Sequence, residues 1–375
     1  MTNSSDSDHG VRFNCKVETS TKVPKSVHEL TPGDIKVIGA IGDSITAANG
    51  AHACNIFEVF NEYRGASWSI GGDNNLTLAL TIPNILRRFN PDLIGFSLGV
   101  GNVTSGGSNF NCAVPGSEAS DMPGQAENLV NRMRANPNVD ITNDWKLITL
   151  FVGGNDLCEH CVHPSNFTVE DYIYGITQAL DIFHEKLPRT FVNVVGLMNI
   201  TQLVIQEKVI CTIVHEILCE CILNLDLGER LTLEQLNRDY QDALKDLASG
   251  GRYDTRSDFT IVYQPFMEET EFPIGDDGKV DTSYMAPDCF HLSAKGHAFA
   301  ARELWSNMLQ PVGRKTDAWD PYATEIPCPT KKYPYFATIK NKDGVVDGGI
   351  QSVEPCHQLV LALQLLLALL VFLNK

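Results

Sequence analysis

Short apolar runs alternate with helical patterns along most of the chain, from about residue 34 to residue 310. Five of these runs are rich in branched or aromatic residues and are bounded by Gly, Pro or Asp, which is typical of buried strands. They lie at residues 34–41, 92–98, 146–152, 191–197 and 259–263. Because strands alternate with helices, the pattern predicts an α/β fold with a parallel sheet covered on both faces.

Three helices are predicted from apolar spacing and capping residues. They span residues 168–183, 232–249 and 293–308. Thr168 and Ser293 are the expected N-caps of the first and last helix. Thr232 forms a capping box with Gln235 at the start of the second. Residues 99–124, which are rich in Gly, Ser and Asn, are expected to form a long loop.

An apolar tail ends the chain. Residues 359–373 are apolar except for Gln364, a length below the ~20 residues that a bilayer span needs. Small residues at 347–349, a polar spacer and the tail match the pattern of a GPI-attachment signal, with a single membrane span as the alternative. The predicted segments are 1–30 (irregular), 31–341 (α/β domain), 342–358 (polar linker) and 359–373 (tail).

The composition is that of a globular protein with an acidic surface. The 375 residues are 43% hydrophobic and 20% charged, and the formal net charge is −17. Such a surface repels phosphate backbones and gives no electrostatic attraction to anionic membranes. The charge therefore argues against nucleic acid as a partner, and nothing in the sequence points to an obligate protein partner.

Eleven cysteines and five Asn-x-Ser/Thr sequons favour an oxidising, secretory compartment. The sequons lie at Asn3, Asn75, Asn102, Asn166 and Asn199. The N-terminal residues, MTNSSDSDHG, lack the basic start and apolar core of a signal peptide, so either the true start is absent or the compartment differs. We favour an absent start and expect the protein on the extracellular face of the plasma membrane, or secreted.

Polar loops follow the predicted strands at the edge where parallel sheets bind ligands. Gly-Asp-Ser-Ile-Thr at 42–46 follows the first strand, and Gly-Gly-Asn-Asp at 153–156 follows the third. A serine hydroxyl becomes nucleophilic when a histidine held by a carboxylate removes its proton. Asp288 and His291, close together before the last helix, can supply both groups from one loop, and Ser44 is the candidate nucleophile.

Acyl transfer also requires hydrogen-bond donors for the oxyanion. Gly72 can offer its backbone N–H, Asn155 its side-chain amide and Ser44 its own N–H. The Gly-x-Ser-x-Gly elbow of the α/β-hydrolases is absent around Ser44. The short spacing of Asp288 and His291 also differs from that fold, in which the acid and the histidine lie far apart in sequence.

The four blocks GDSIT, a Gly-containing block, GGND and DxxH resemble those of the SGNH/GDSL hydrolases. The flanking sequence is similar to the membrane-associated phospholipase B1 family at 63–73, 144–158, 291–313 and 328–341. The resemblance implies a three-layer α/β/α sandwich of the flavodoxin-like type with about five parallel strands. It also implies hydrolysis of acyl esters in phospholipids and lysophospholipids, with no metal and no cofactor.

By the same resemblance, Ser44 is the nucleophile, His291 the base and Asp288 the acid that orients it. Ser44, Gly72 and Asn155 form the implied oxyanion hole. Two alternatives remain open. A short-chain or carbohydrate carboxylesterase would use the same triad with a different pocket, and a glycosylated surface protein would use the fold for binding rather than catalysis.

The cysteines allow more than one chemistry. Cys158 and Cys161 form a CxxC motif, where zinc or redox chemistry is conceivable and a structural disulfide is favoured. A second disulfide-tied loop is expected at Cys211, Cys219 and Cys221. Connectivity cannot be derived from the spacing.

Two further groups receive structural interpretations. Loop N–H groups are expected to be satisfied by the carboxylates of Asp43, Asp73 and Asp156. Core packing, with an acyl pocket as the alternative, is expected for Trp68, Phe96 and Phe110.

Overall fold

The computed structural model describes residues 9–17, 23–205, 209–223, 225–275 and 278–345. Its strands are β1 (Ile35–Gly42), β2 (Trp145–Phe151), β3 (Thr190–Val195) and β4 (Phe259–Gln264). They form one parallel sheet in the order β1-β2-β3-β4. Nearly every strand residue is buried, because helices cover both faces of the sheet.

Helices surround the sheet in two layers. In the described residues they are α1 (Ser44–Ala47), α2 (Ile82–Phe89), α3 (Met122–Ala135), α4 (Gly154–His160), α5 (Val169–Lys186), α6 (Val209–Leu218), α7 (Leu227–Ser249) and α8 (Ala294–Leu309). α3 packs on one face, where Leu129 and Met133 approach Gly39 of β1. α8 packs on the other, where Met308 contacts Asn193 of β3. The predicted three-layer α/β/α sandwich is therefore confirmed.

The strand predicted at 92–98 is wrong. The Ile94 carbonyl accepts the Ile38 N–H at 3.0 Å beside β1, but this contact does not continue as a ladder. Gly95 bends the chain at φ +104°, and Phe110 then provides the carbonyl for an N–H further along β1. A Cβ on Gly95 would lie 2.3 Å from the Ile38 carbonyl oxygen, so the bend requires glycine. The described sheet has four strands where about five were expected.

Two predicted helix starts are confirmed. The Thr168 hydroxyl accepts the Asp171 N–H at the start of α5. The Ser293 hydroxyl accepts the Gly296 N–H at the start of α8. Each cap satisfies an N–H group that has no partner inside its helix.

The predicted start of α7 at Thr232 is wrong. The helix begins more than one turn earlier, at Leu227, where Asp226 and Glu229 form the capping box. Thr232 lies inside the helix, and its hydroxyl donates to the Gly228 carbonyl. The first turn was not recognised from apolar spacing because Leu227 faces solvent.

Disulfides join distant parts of the described chain. Cys158 pairs with Cys219 and Cys161 pairs with Cys221, so the CxxC sulfurs are structural but are not bonded to each other. The two disulfide loops expected from the sequence are therefore one unit, which fixes α4 against the segment after α6. The other pairs are Cys211–Cys289 and Cys15–Cys328.

Within these residues, no helix combines the length and the apolar character that crossing a bilayer requires. The predicted tail at 359–373, most of the linker at 342–358 and the sequon at Asn3 lie outside the described residues.

Candidate active site

Ser44 lies at the carboxyl end of β1, as the first residue of α1. The strand ends at Gly42, whose φ of +152° brings it so close to β2 that an added Cβ would lie 2.2 Å from the Phe151 carbonyl oxygen. Asp43 caps the helix, and its Oδ1 accepts the Ile45 N–H at 2.9 Å. This turn holds Ser44 at the edge of the sheet where parallel folds bind ligands.

Asp288 and His291 form a hydrogen-bonded pair on the loop before α8. His291 Nδ1 lies 2.5 Å from Asp288 Oδ2, and Asp288 Oδ1 accepts the N–H groups of Phe290 and His291. Burial raises the pKa of the Asp288 carboxyl, but the hydrogen bonds and the charge of His291 outweigh burial and leave this pKa below its usual value. The carboxylate therefore stays ionised and keeps a proton on Nδ1, which leaves Nε2 free to act as a base.

Ser44 and His291 line the same cavity, which we call the outer cleft. Its empty space is about 1140 Å³, including the open mouth, and Asp288 and Asn155 also line it. Its apolar walls include Ile56, Val59, Phe60, Val214, Leu218 and Phe290. The structure thus brings the three predicted triad residues to one cleft. In the structure as described, the side chains of Ser44 and His291 do not form a direct hydrogen bond.

A second cavity, the inner cleft, meets the outer cleft at Ser44 and Asn155 and has an empty space of about 670 Å³, including its open mouth. Its apolar lining consists of Phe151, Leu197, Met198, Ile200, Met267, Phe272, Phe290 and Leu292. Phe290 also lines both cavities. Ser44 therefore lies at the junction of two apolar clefts.

Asn155 is in the first turn of α4, directly after β2. Its Nδ2 donates one hydrogen bond, to the Ser117 carbonyl at 2.8 Å. A primary amide carries two N–H groups, so a second remains for a ligand. Asn155 lines both clefts together with Ser44.

Gly72 does not lie with the other predicted donors. Its N–H donates to the Ser97 carbonyl at 2.8 Å, and the space where a Cβ would point is filled by the ring of Phe96. It lines neither cleft. The N–H that was expected to bind the oxyanion is therefore already occupied in the fold.

Gly116 is a glycine of the outer cleft that the sequence analysis did not single out. It follows Pro115 in a turn closed by the Ser117 N–H and the Val114 carbonyl, and its φ of +78° is the conformation that glycine favours at this position. Its own N–H has no acceptor among the residues that the structure describes. Gly116 lines the outer cleft with Ser44, and the Pro-Gly dipeptide inside the predicted loop was the signal that sequence analysis missed.

The turn that carries Gly116 is fixed to both neighbouring strands. Gln125 accepts the Gly42 N–H at 2.9 Å and donates from Nε2 to the Gly42 carbonyl and to Ser117 Oγ. The Asp156 carboxylate accepts the Ala119 N–H at 3.1 Å. These bonds hold the loop against the ends of β1 and β2.

The three carboxylates singled out in the sequence have the predicted structural role. Asp43 accepts from Ile45, Asp73 from the Gly99 N–H at 2.9 Å, and Asp156 from Ala119. Burial raises the pKa of Asp43 to about 6 and that of Asp156 to about 7.

The aromatic residues singled out in the sequence pack in the core, as expected. Trp68 and Phe110 are buried, and the guanidinium of Arg87 lies 5.0 Å above the ring of Phe96. None of the three aromatic residues lines either cleft. The acyl-pocket alternative for them is therefore wrong.

Comparison with known proteins identifies a family match that spans most of the chain. The model of the GDSL-like lipase/acylhydrolase family matches residues 38–304. That range contains the predicted nucleophile, the Asn155 block and the Asp288–His291 pair.

Three relatives carry the name "Phospholipase B1, membrane-associated". The Mus musculus protein is 45% identical over 345 residues, and the alignment covers 89% of this chain and 23% of that protein. The Homo sapiens protein is 45% identical over 333 residues, and the alignment covers 86% of this chain and 23% of that protein. The Rattus norvegicus protein is 43% identical over 345 residues, covering 89% and 24%. The chain thus spans about a quarter of the length of these relatives.

Proposed function

The chain belongs to the GDSL-like lipase/acylhydrolase family, and from this premise we propose that it is a serine hydrolase that cleaves acyl esters of phospholipids and lysophospholipids. The observation that carries the proposal is the convergence of Ser44 and the Asp288–His291 pair on one cleft. The names of the phospholipase B1 relatives support the same substrate class.

The proposed reaction has two steps. In the first step, His291 Nε2 takes the proton of Ser44 Oγ while this oxygen attacks the carbonyl carbon of the ester. The same proton then passes to the leaving alcohol as the single bond between the carbonyl carbon and the alcohol oxygen breaks. A water molecule next attacks the acyl-serine, again with His291 as base, and releases the fatty acid. Asp288 keeps its negative charge throughout and stabilises the imidazolium.

The negative oxygen formed in each step requires donors that are already in place. We assign this role to the backbone N–H groups of Ser44 and Gly116 and to the side-chain amide of Asn155. Removal of one such donor typically costs about 3 kcal/mol of transition-state stabilisation.

The two clefts fit the two parts of a lipid ester. The acyl chain fits the inner cleft, whose lining is mostly apolar, because it there loses contact with water. The leaving alcohol fits the outer cleft, because His291 lines that cavity and must protonate the alcohol oxygen. A carbohydrate ester would expose polar hydroxyls to these apolar walls.

The disulfides favour an oxidising location, and the phospholipase B1 relatives are named as membrane-associated proteins. We propose that the protein acts outside the cell and is attached to the membrane through its C-terminal residues. Asn75, Asn102 and Asn166 are exposed and suit glycosylation, whereas Asn199 is half-buried between two residues that line the inner cleft.

A fluorophosphonate probe and the Ser44→Ala variant test the proposal. The wild-type protein is expected to be labelled and to hydrolyse lysophosphatidylcholine and phosphatidylcholine faster than p-nitrophenyl acetate. Ser44→Ala is expected to lose both labelling and hydrolysis, while Ser165→Ala, at an exposed serine, keeps both. A strong preference for the acetate would favour a short-chain esterase, and a native protein that resists labelling would favour a binding protein.

A further inference from the structure

Two phenylalanines beside the outer cleft point into solvent. Phe57 is 86% exposed and Phe60 is 77% exposed, and Phe60 also lines the cleft. They lie on the short turn that starts at Asn55, which we call the rim turn (residues 55–60). Exposed phenylalanines so close together at the mouth of a cavity are typical of a surface that contacts an apolar partner.

The rim turn is held in place by its connection to the nucleophile helix. Val59, between the two phenylalanines, is buried, and the Gly50 N–H donates to the Asn61 carbonyl. The Tyr63 N–H donates to the Ala48 carbonyl, directly after α1. The exposure of Phe57 is therefore a consequence of an anchored backbone rather than of a free end.

A second part of the outer cleft's lining comes from α6, which contributes Val214 and Leu218. The Cys211–Cys289 disulfide joins this helix to the loop between Asp288 and His291. The rim turn and α6 are thus two apolar walls of the cleft. The rim turn is connected to the nucleophile helix by flanking backbone hydrogen bonds, and α6 is connected to the Asp288–His291 loop by a disulfide.

Neither wall carries a cation that would attract an anionic surface. Residues 48–63 and 209–218 contain no Lys or Arg, whereas Glu58 lies within the rim turn itself. The chain as a whole has a net charge of −17. Anionic lipid headgroups are recognised by clusters of Lys and Arg, so the chemistry of this surface fits a lipid surface without net charge.

We propose that the rim turn docks on the surface of a zwitterionic phospholipid aggregate, with Phe57 inserted among the acyl chains, so that a lipid ester enters the outer cleft directly from that surface. The proposal rests on the proposed function for its substrate, and the structure supplies the docking face. Aromatic side chains favour the boundary between headgroups and acyl chains, which gives Phe57 a binding role that does not involve the reacting atoms.

Phe57→Ser in the otherwise intact chain tests the docking step, because Phe57 lines neither cleft. Binding to phosphatidylcholine vesicles, measured by flotation, and hydrolysis of those vesicles are expected to fall about tenfold, since one buried aromatic side chain contributes about that factor. Hydrolysis of a short-chain phosphatidylcholine below its critical micelle concentration is expected to stay at the wild-type rate. Phe57→Trp is expected to retain vesicle binding.

Tyr322→Ser is the matched control, because Tyr322 is 89% exposed and lines neither cleft. Equal vesicle binding by wild type and Phe57→Ser would overturn the proposal, as would a loss of equal size on monomeric substrate. Stronger binding to phosphatidylserine than to phosphatidylcholine vesicles, or a dimer that dissociates in Phe57→Ser, would also overturn it. A wild-type protein that binds vesicles but cleaves neither substrate would instead refute the proposed function alone.

Discussion

Gln125 and Gly42 exchange two hydrogen bonds, in which the glutamine side chain accepts the Gly42 N–H and donates to the Gly42 carbonyl, both at 2.9 Å. The same Nε2 donates to Ser117 Oγ at 3.0 Å. Gly42 is where β1 turns toward Ser44, and Ser117 follows Gly116 in the neighbouring loop. One buried side chain therefore fixes the distance between two of the assigned oxyanion donors.

Gln125→Leu is expected to lower kcat about tenfold with little change in KM for a monomeric ester, because transition-state donors move while the apolar clefts remain. The free energy of unfolding should fall by about 1–3 kcal/mol, since the buried Gly42 N–H loses its Gln125 acceptor. Steady-state kinetics and urea denaturation measure both effects. Gln178→Leu, at an exposed position of α5, is the control, and an unchanged kcat in Gln125→Leu would contradict the assigned role.

Gly116→Ala and Gly72→Ala separate the two candidate glycines. An added Cβ at Gly116 meets no heavy atom within 4 Å, but its φ of +78° makes alanine strained by about 1 kcal/mol, so the protein folds with a shifted N–H and a reduced kcat. At Gly72 the Cβ would lie 2.1 Å from the ring of Phe96, so this variant loses stability. Thermal melts and kcat are measured together. A low kcat in folded Gly72→Ala with a normal kcat in Gly116→Ala would reverse the assignment.

The triad candidates could be predicted because their chemistry is contained in short motifs. GDSIT follows an evident strand, and Asp288 and His291 are close in sequence, so few folds could separate them. The glycine whose N–H we assign to the oxyanion, Gly116 rather than Gly72, could not be predicted in this way. The choice depends on which loop reaches Ser44, and that is decided by tertiary hydrogen bonds that composition does not reveal.

Local periodicity also failed where the backbone rather than the side chains decides the structure. Residues 92–98 have the composition of a strand, yet Gly95 turns the chain out of the ladder. α7 begins with the exposed Leu227, which hides its first turn from apolar spacing. Disulfide pairing also could not be predicted from local sequence, because Cys158 contacts Cys219 only after α4 and the segment that follows α6 have packed together.

The Cys211–Cys289 disulfide is expected to affect catalysis as well as stability, because Cys289 lies between Asp288 and His291. Cys211→Ser/Cys289→Ser should lower the free energy of unfolding by about 2–5 kcal/mol and also lower kcat, since the catalytic loop loses its connection to α6. Calorimetry and kinetics well below the melting temperature measure the two effects.

The control for that experiment is Cys15→Ser/Cys328→Ser, which removes a disulfide whose residues line neither cleft. This variant should lose stability and keep kcat. Equal kcat values in the two double variants, measured on folded protein, would show that the Cys211–Cys289 bond has no effect on the catalytic loop.

Asp156 is expected to make stability fall as pH rises. Burial raises its pKa to about 7, above the value of about 3.9 in an unfolded chain, so the folded state holds this proton more tightly. The contribution of Asp156 to the free energy of unfolding therefore declines as the pH rises from about 4 to about 7. Urea denaturation at several pH values is expected to show a smaller decline in Asp156→Asn than in the wild type, and parallel curves would contradict the prediction.

Asp288→Asn tests the orientation of the base while preserving the size of the side chain. Its Oδ1 can still accept the N–H groups of Phe290 and His291, but the new amide nitrogen faces His291 Nδ1 and donates to it. The imidazole must then carry its proton on Nε2, where it cannot accept the proton of Ser44. We expect kcat to fall by about 10⁴-fold in a protein that still folds, because the wrong tautomer is populated.

Kinetics on a p-nitrophenyl ester and a thermal melt measure that result. Asp281→Asn is the control, because this carboxylate accepts from the Ser283 N–H and pairs with Lys295 away from the triad. The control should retain the wild-type kcat. If Asp288→Asn kept a tenth or more of the wild-type rate (a loss of at most ~1.4 kcal/mol in transition-state stabilisation), His291 would not depend on Asp288 for its tautomer, and the base would have to be oriented by another group.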